Sequence, residues 1–157
     1  MQILLPDEAA DKLTKALKKA GNREIGGILM GEHVSENVFR VKDLTIQFQG
    51  GTSVSFTRFL EGNLNPLQNF FCETGYDFTR FNYLGEWHSH PAFVLEPSST
   101  DCKTIWEIVE DSSVGANFVI LMIVRLDDAD QLEGTVTVFL PGHQIFKGTL
   151  IQEKSDF

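Results

Sequence analysis

Apolar residues recur at helical spacing in three stretches of this chain. Over Asp7–Ala20, the side chains of Ala9, Ala10, Leu13, Ala16, Leu17 and Ala20 fall on one side. Pro6 stands near the start, Lys18 and Lys19 in the last turn, and Gly21 where a C-terminal cap belongs, so an amphipathic helix is predicted. A second helix is predicted over 64–74, with Leu67, Phe70, Phe71 and Cys72 turned inward and Gly75 ending it. A third follows Pro97, from Ser98 or Ser99 to Asp111, with Cys102, Ile105, Trp106, Ile108 and Val109 as its apolar positions.

The remaining apolar runs read as strands: 24–30, 38–48, a short piece at 53–57, then 81–90, 117–124, 133–140 and 143–151. The run at 117–124 is nearly all apolar, as suits a central strand covered on both faces. Gly50-Gly51 breaks the second strand, and Pro141-Gly142 joins the last two. Gly26 and Gly27 weaken their strand and point to a close approach of backbone or substrate. The acidic stretch 127–130 lacks the glycine and terminal glutamate of a calcium loop, and is expected as a solvated turn. The order α-β-β-β-α-β-α-β-β-β alternates without regularity, so the expected fold is α+β, a mixed sheet flanked by helices. One domain is expected over 1–157, with its core at about 4–150 and a frayed tail at 152–157.

Composition narrows the partners. The chain has 157 residues, 42% of them hydrophobic, enough for a substantial core. It carries 22 acidic and 13 basic residues, a formal charge of -9. That balance argues against nucleic acid, whose binding leans on Lys and Arg, and against an anionic membrane. The N-terminus lacks a basic segment followed by a long apolar run, so no secretory signal is expected. No apolar run reaches the roughly 18 residues of a membrane span. Cys72 and Cys102 fit neither a disulfide scaffold nor a Cys-x-x-Cys zinc site. A cytoplasmic protein with reduced thiols is expected.

The chemistry concentrates between Gly85 and Asp101. Residues two apart in a strand point the same way, so His88 and His90 project together and Ser89 points oppositely. Asp101 lies in the first turn of the following helix, where a carboxylate suits the helix dipole and can aim back at the strand end. Two histidines and one carboxylate leave an open position on zinc, the pattern of a catalytic site. Ser98-x-x-Asp101 is also a variant of the capping box. Glu86 shares the histidines' face and competes as a ligand on alternation alone. Cys102 stands on the apolar face of its helix and reads as core, and His33 and His143 are isolated.

His88-Ser89-His90-Pro91, seven further residues, and Ser98-x-x-Asp101 resemble the JAMM motif of the JAB/MPN metalloproteases. The segment from Glu24 to Gly31 is similar to the glutamate and glycine-rich strand that the family carries upstream. Gly85-Glu86-Trp87 is similar to its prokaryotic branch. The likeness runs in looser form from about Leu4 to Leu150. It implies a curved, mostly antiparallel sheet with helices on its faces, cytidine-deaminase-like in outline. It implies one zinc ion on His88, His90 and Asp101, with Glu24 as general base, Ser98 as donor to the oxyanion, and no ligand at Glu86. The implied substrate is the bond after the C-terminus of a ubiquitin or ubiquitin-like protein, whose extended tail adds to a sheet edge. The implied setting is a bacterial conjugation system with E1/E2-like enzymes, antiphage-defence operons included. Three rivals stand beside this. A scaffold module of the MPN type would have lost ligands, whereas every motif position is filled here. A sulfur-carrier-protein protease would use the same chemistry. A zinc deaminase would need a Cys-x-x-Cys that the chain lacks.

Overall fold

The structure, a computed structural model, describes residues 1–47, 56–92 and 94–155, with the backbone alone at 56–63. The elements are β1 (Gln2–Pro6), α1 (Asp7–Ala20), β2 (Gly26–Ser35), β3 (Val38–Leu44), α2 (Phe56–Glu73), β4 (Phe81–Ser89), α3 (Ser99–Val109), β5 (Val119–Leu126), β6 (Leu132–Leu140) and β7 (Gln144–Glu153). The strands close into a barrel in the order β1-β3-β2-β4-β5-β6-β7. This corrects the expected α+β sheet flanked by helices. The residues responsible are Gln2–Pro6, which the sequence reading left unassigned. β1 runs parallel to both β3 and β7 and joins two strands that would otherwise be the edges of an open sheet. Ile3 and Leu5 alternate inward along it, and both are fully buried. Each of the described strands has a neighbour on either side.

The barrel interior is filled from all seven strands' inner faces and from α1. Leu29, Val41, Leu84, Trp87, Met122 and Val138 form one cluster with the α1 residues Ala9, Ala10, Leu13, Ala16, Leu17 and Ala20. These six helix positions are the ones the spacing predicts. The Gly21 N–H closes the helix on the Leu17 carbonyl at 3.1 Å, with φ at 61°. Outside the barrel, α3 packs Ile105, Ile108 and Val109 on Val119, Leu121, Ile123 and Phe139. Phe70 of α2 packs on Ile28 and Met30 of β2. β5 is therefore covered on both faces, as its composition predicts.

Other boundaries moved. α2 begins at Phe56, upstream of the expected start at Leu64, and holds Pro66 in its interior. In the strand expected at 53–57, residues 53–55 lie outside the described residues, while Phe56 and Thr57 belong to α2. β3 ends at Leu44, and Gln47 makes an isolated bridge to Gly26. β7 continues through Glu153, two residues into the expected tail, and Ser155 bonds to the Asp7 carboxylate. The acidic stretch is a turn: Asp127 Oδ1 accepts from the backbone of Ala129 and Gln131.

One local irregularity positions the site. The β2–β4 register shifts opposite Leu29 and Met30, between Gly85 and Tyr83. Gly85 has φ of 150°, and a Cβ there would lie 2.0 Å from the Ile120 carbonyl oxygen. After this bulge Trp87 faces the interior, while Glu86, His88 and His90 face outward. Next to them Gly26 leaves room for the His88 ring, whose Cδ2 would be 2.9 Å from a Cβ on that residue.

Candidate metal centre

The two histidines stand at the C-terminal end of β4, beside the first turn of α3. The His88 Nδ1 lies 3.1 Å from Asp101 Oδ1, and His90 Nε2 lies 3.4 Å from Asp101 Oδ2. His90 Nδ1 faces the Val94 carbonyl at 3.1 Å, so the loop after Pro91 holds that ring. The loop is tied down by a bond from the Thr135 hydroxyl of β6 to the Leu95 carbonyl. Asp101 is 1% exposed. Its Oδ2 accepts from the Ser98 N–H at 2.9 Å, and its own N–H donates to Ser98 Oγ at 3.1 Å, completing a capping box. The capping-box reading of Ser98-x-x-Asp101 therefore holds, and the same carboxylate meets two imidazoles.

Glu24 sits half-buried just before β2, at the end of that strand that lies against the histidines. Its neighbour Ile25 is clamped there, donating its N–H to Ser89 Oγ and accepting the Ser89 N–H, both at 2.9 Å. Ser89 is the residue between the ligand candidates, fully buried and facing away from them. Sequence reasoning left it without a role. Its signal is a polar residue at an inward position of an apolar strand, and such a residue needs a specific partner.

The electrostatics are dominated by two carboxylates around one imidazole. His88 Nε2 lies 3.4 Å from Glu86 Oε2, so the ring is bracketed by Asp101 and Glu86. Burial disfavours charge on His88, but the hydrogen bonds to Asp101 and Glu86 outweigh it and raise its pKa to about 9. Burial likewise raises Asp101, yet the contacts with His88 and the Ser98 N–H bring it down to about 2. Half-buried Tyr83, whose hydroxyl is enclosed, is pushed well above the usual phenol range by burial and then by Glu86. Burial and the neighbouring Asp101 push the Cys102 thiol up, which disfavours the thiolate a nucleophile needs. His33 stacks on Phe39 and His143 leans on Trp106, so both have packing roles.

Among the described residues, no three His, Cys, Asp or Glu groups form a ready-made metal cage. His88 and His90 each face the Asp101 carboxylate instead. The donor chemistry nonetheless fits a divalent cation. Two imidazoles and two buried carboxylates share this corner. A metal held here would take the place of the proton that His88 directs at Asp101.

Comparison with known proteins bears on the fold and the family. Two solved structures share the fold, each at 16% identity. One is a protein of Desulfitobacterium hafniense, with a TM-score of 0.68 over 98% of this chain and 94% of that one. The other is from Salinibacter ruber, with a TM-score of 0.57 over 95% and 90%. A CD-NTase/cGAS isopeptidase of Enterobacter hormaechei subsp. hoffmannii (strain UCI 50) is 26% identical over 129 residues, 81% of this chain and 69% of that protein. Residues 6–135 match the family described as prokaryotic homologs of the JAB domain, a span that includes Glu24, His88, His90, Ser98 and Asp101. By that match the chain belongs to the prokaryotic JAB family.

Proposed function

We propose that this protein is a zinc-dependent isopeptidase that releases a ubiquitin-like or similarly conjugated protein from its target. The observation that carries the reading is the meeting of His88, His90 and Asp101 at one strand end and one helix start. The Enterobacter relative, named as an isopeptidase, supports an isopeptide bond as the target. Conjugates made by E1/E2-like enzymes in a bacterial defence or ubiquitin-like system are the proposed substrates.

His88, His90 and Asp101 are the proposed ligands of one zinc ion. When bound, zinc lowers the pKa of water toward neutrality and polarises the scissile carbonyl. Glu24 takes the proton of the attacking water and passes it to the leaving amine as the C–N bond breaks. Ser98 donates its hydroxyl to the developing oxyanion. The cap supports that assignment: Ser98 Oγ accepts from the Asp101 N–H, which uses a lone pair and leaves the O–H as a donor. Ser98 is also exposed.

The test begins with metal analysis of the purified protein after zinc is supplied, with His88→Ala as control. About one zinc per chain, lost in the variant, is expected. Chelator-sensitive cleavage of a ubiquitin-like fusion should follow it. A wild-type chain that takes up no zinc would overturn the reading and leave an MPN-type scaffold in its place.

A further inference from the structure

Glu86 is the charged side chain at this corner with no role so far. It is 1% exposed, on the outer face of β4. Its neighbours across the sheet are Ile28 of β2 and Leu121 of β5, both buried and apolar. Its Oε2 lies 3.4 Å from His88 Nε2, and its Oε1 has no hydrogen-bond partner. A strand position walled in by apolar side chains calls for an apolar residue. A carboxylate kept there is costly to desolvate and calls for an explanation.

The orientation of His88 supplies one. Its Nδ1 faces Asp101 Oδ1, and His90 Nε2 faces the same carboxylate. The opposite nitrogen of His88 faces Glu86. We propose that Glu86 is a positioning residue. It accepts the Nε2–H of His88, which fixes the tautomer whose Nδ1 lone pair is turned toward Asp101 and His90, and it holds the ring in that orientation. The proposal rests on the zinc reading above and assigns Glu86 no contact with metal or substrate. A carboxylate on the far nitrogen of a ligating histidine typically accounts for about 10–100-fold in metal affinity.

The experiment compares zinc affinity, by competition with a chromophoric chelator, in wild type, Glu86→Leu and Glu86→Gln. Nitrogen NMR of the His88 ring reads the tautomer in each zinc-loaded protein. Glu86→Leu matches the apolar wall, so folding should be kept, while zinc affinity falls about 10–100-fold and the single Nε2–H form is lost. Glu86→Gln keeps an acceptor oxygen, so it should retain the tautomer and lose less affinity. A merely structural carboxylate would leave the tautomer unmoved. Wild-type affinity and an unchanged Nε2–H form in Glu86→Leu would overturn this proposal alone. Wild type that binds no zinc would overturn the zinc reading, and this proposal with it.

Discussion

Asp101 and Ser98 each belong to the cap of α3 and each have a proposed role in the reaction, and for Ser98 the two separate by substitution. Ser98→Ala removes the N-cap acceptor and should cost about 1 kcal/mol of stability. If its hydroxyl also serves the oxyanion, kcat should fall about 10²–10³-fold. Ser98→Asp restores a capping oxygen but no donor, so thermal stability should return without activity. Recovered activity in that variant would leave Ser98 a cap alone. Glu24→Gln keeps the shape and removes the proposed base. Turnover should drop about 10²–10⁴-fold with zinc content and melting temperature unchanged, and full activity would remove Glu24 from the mechanism. The meeting of His88, His90 and Asp101 was legible because His-x-His and Ser-x-x-Asp encode geometry locally, through strand alternation and one helical turn. The surroundings of Glu86 were not, because its burial is set by Ile28 and Leu121 on other strands.

The His88–Asp101 pair also makes a pH prediction for the metal-free protein. His88 is raised from 6.5 to about 9, so its contribution is complete below pH 6.5 and is lost as pH rises through about 9. Asp101 is lowered from 3.8 to about 2, so its contribution is complete above pH 3.8 and fades as pH falls toward 2. The pair therefore stabilises most between about pH 4 and 6.5. Melting temperature followed from pH 4 to 9.5 should decline on the alkaline side in wild type and lose that decline in His88→Ala. Parallel profiles would refute the raised His88.

At the scale of elements, α1 was legible because its apolar stripe repeats over four turns with charges that suit both ends. α2 was misjudged at its start because Pro66 suits a first turn, whereas it lies in the helix interior. The β4 bulge was invisible for another reason: a lone glycine in a strand states no register. Its role is specific. Gly85 lets Leu84 and Trp87 both face the barrel interior while Glu86 and His88 face out. Gly85→Ala would strain φ and set a Cβ against the Ile120 carbonyl, at a cost of at least about 1–3 kcal/mol. Because the bulge sets which residues face the site, zinc affinity should fall with stability. Retained affinity in a destabilised variant would mean the histidines are positioned by α3 rather than by the strand.

At the scale of the whole molecule, closure depends on the shortest strand. The sequence reading missed β1 because Gln2–Pro6 runs directly into α1 and is too brief to display a period. Its pairing is also wholly non-local: Leu4 pairs with Arg40 on one side and Ile151 on the other. Arg40 of β3 reaches across this seam to Glu153 of β7, with Nε and Nη2 at 2.8 and 3.0 Å from the carboxylate. The inner face of β1 joins the same cluster as α1, while Leu4 points the other way and is half-buried. Ile3→Ala should therefore open a cavity in the barrel interior and cost about 2–5 kcal/mol, well above the cost of Leu4→Ala. Urea midpoints of the two variants decide it. Unequal costs in that order mean that the barrel is closed by packing of its interior against α1. Equal costs mean that the backbone ladders and the Arg40–Glu153 staple close it, with the inner side chains of β1 contributing little.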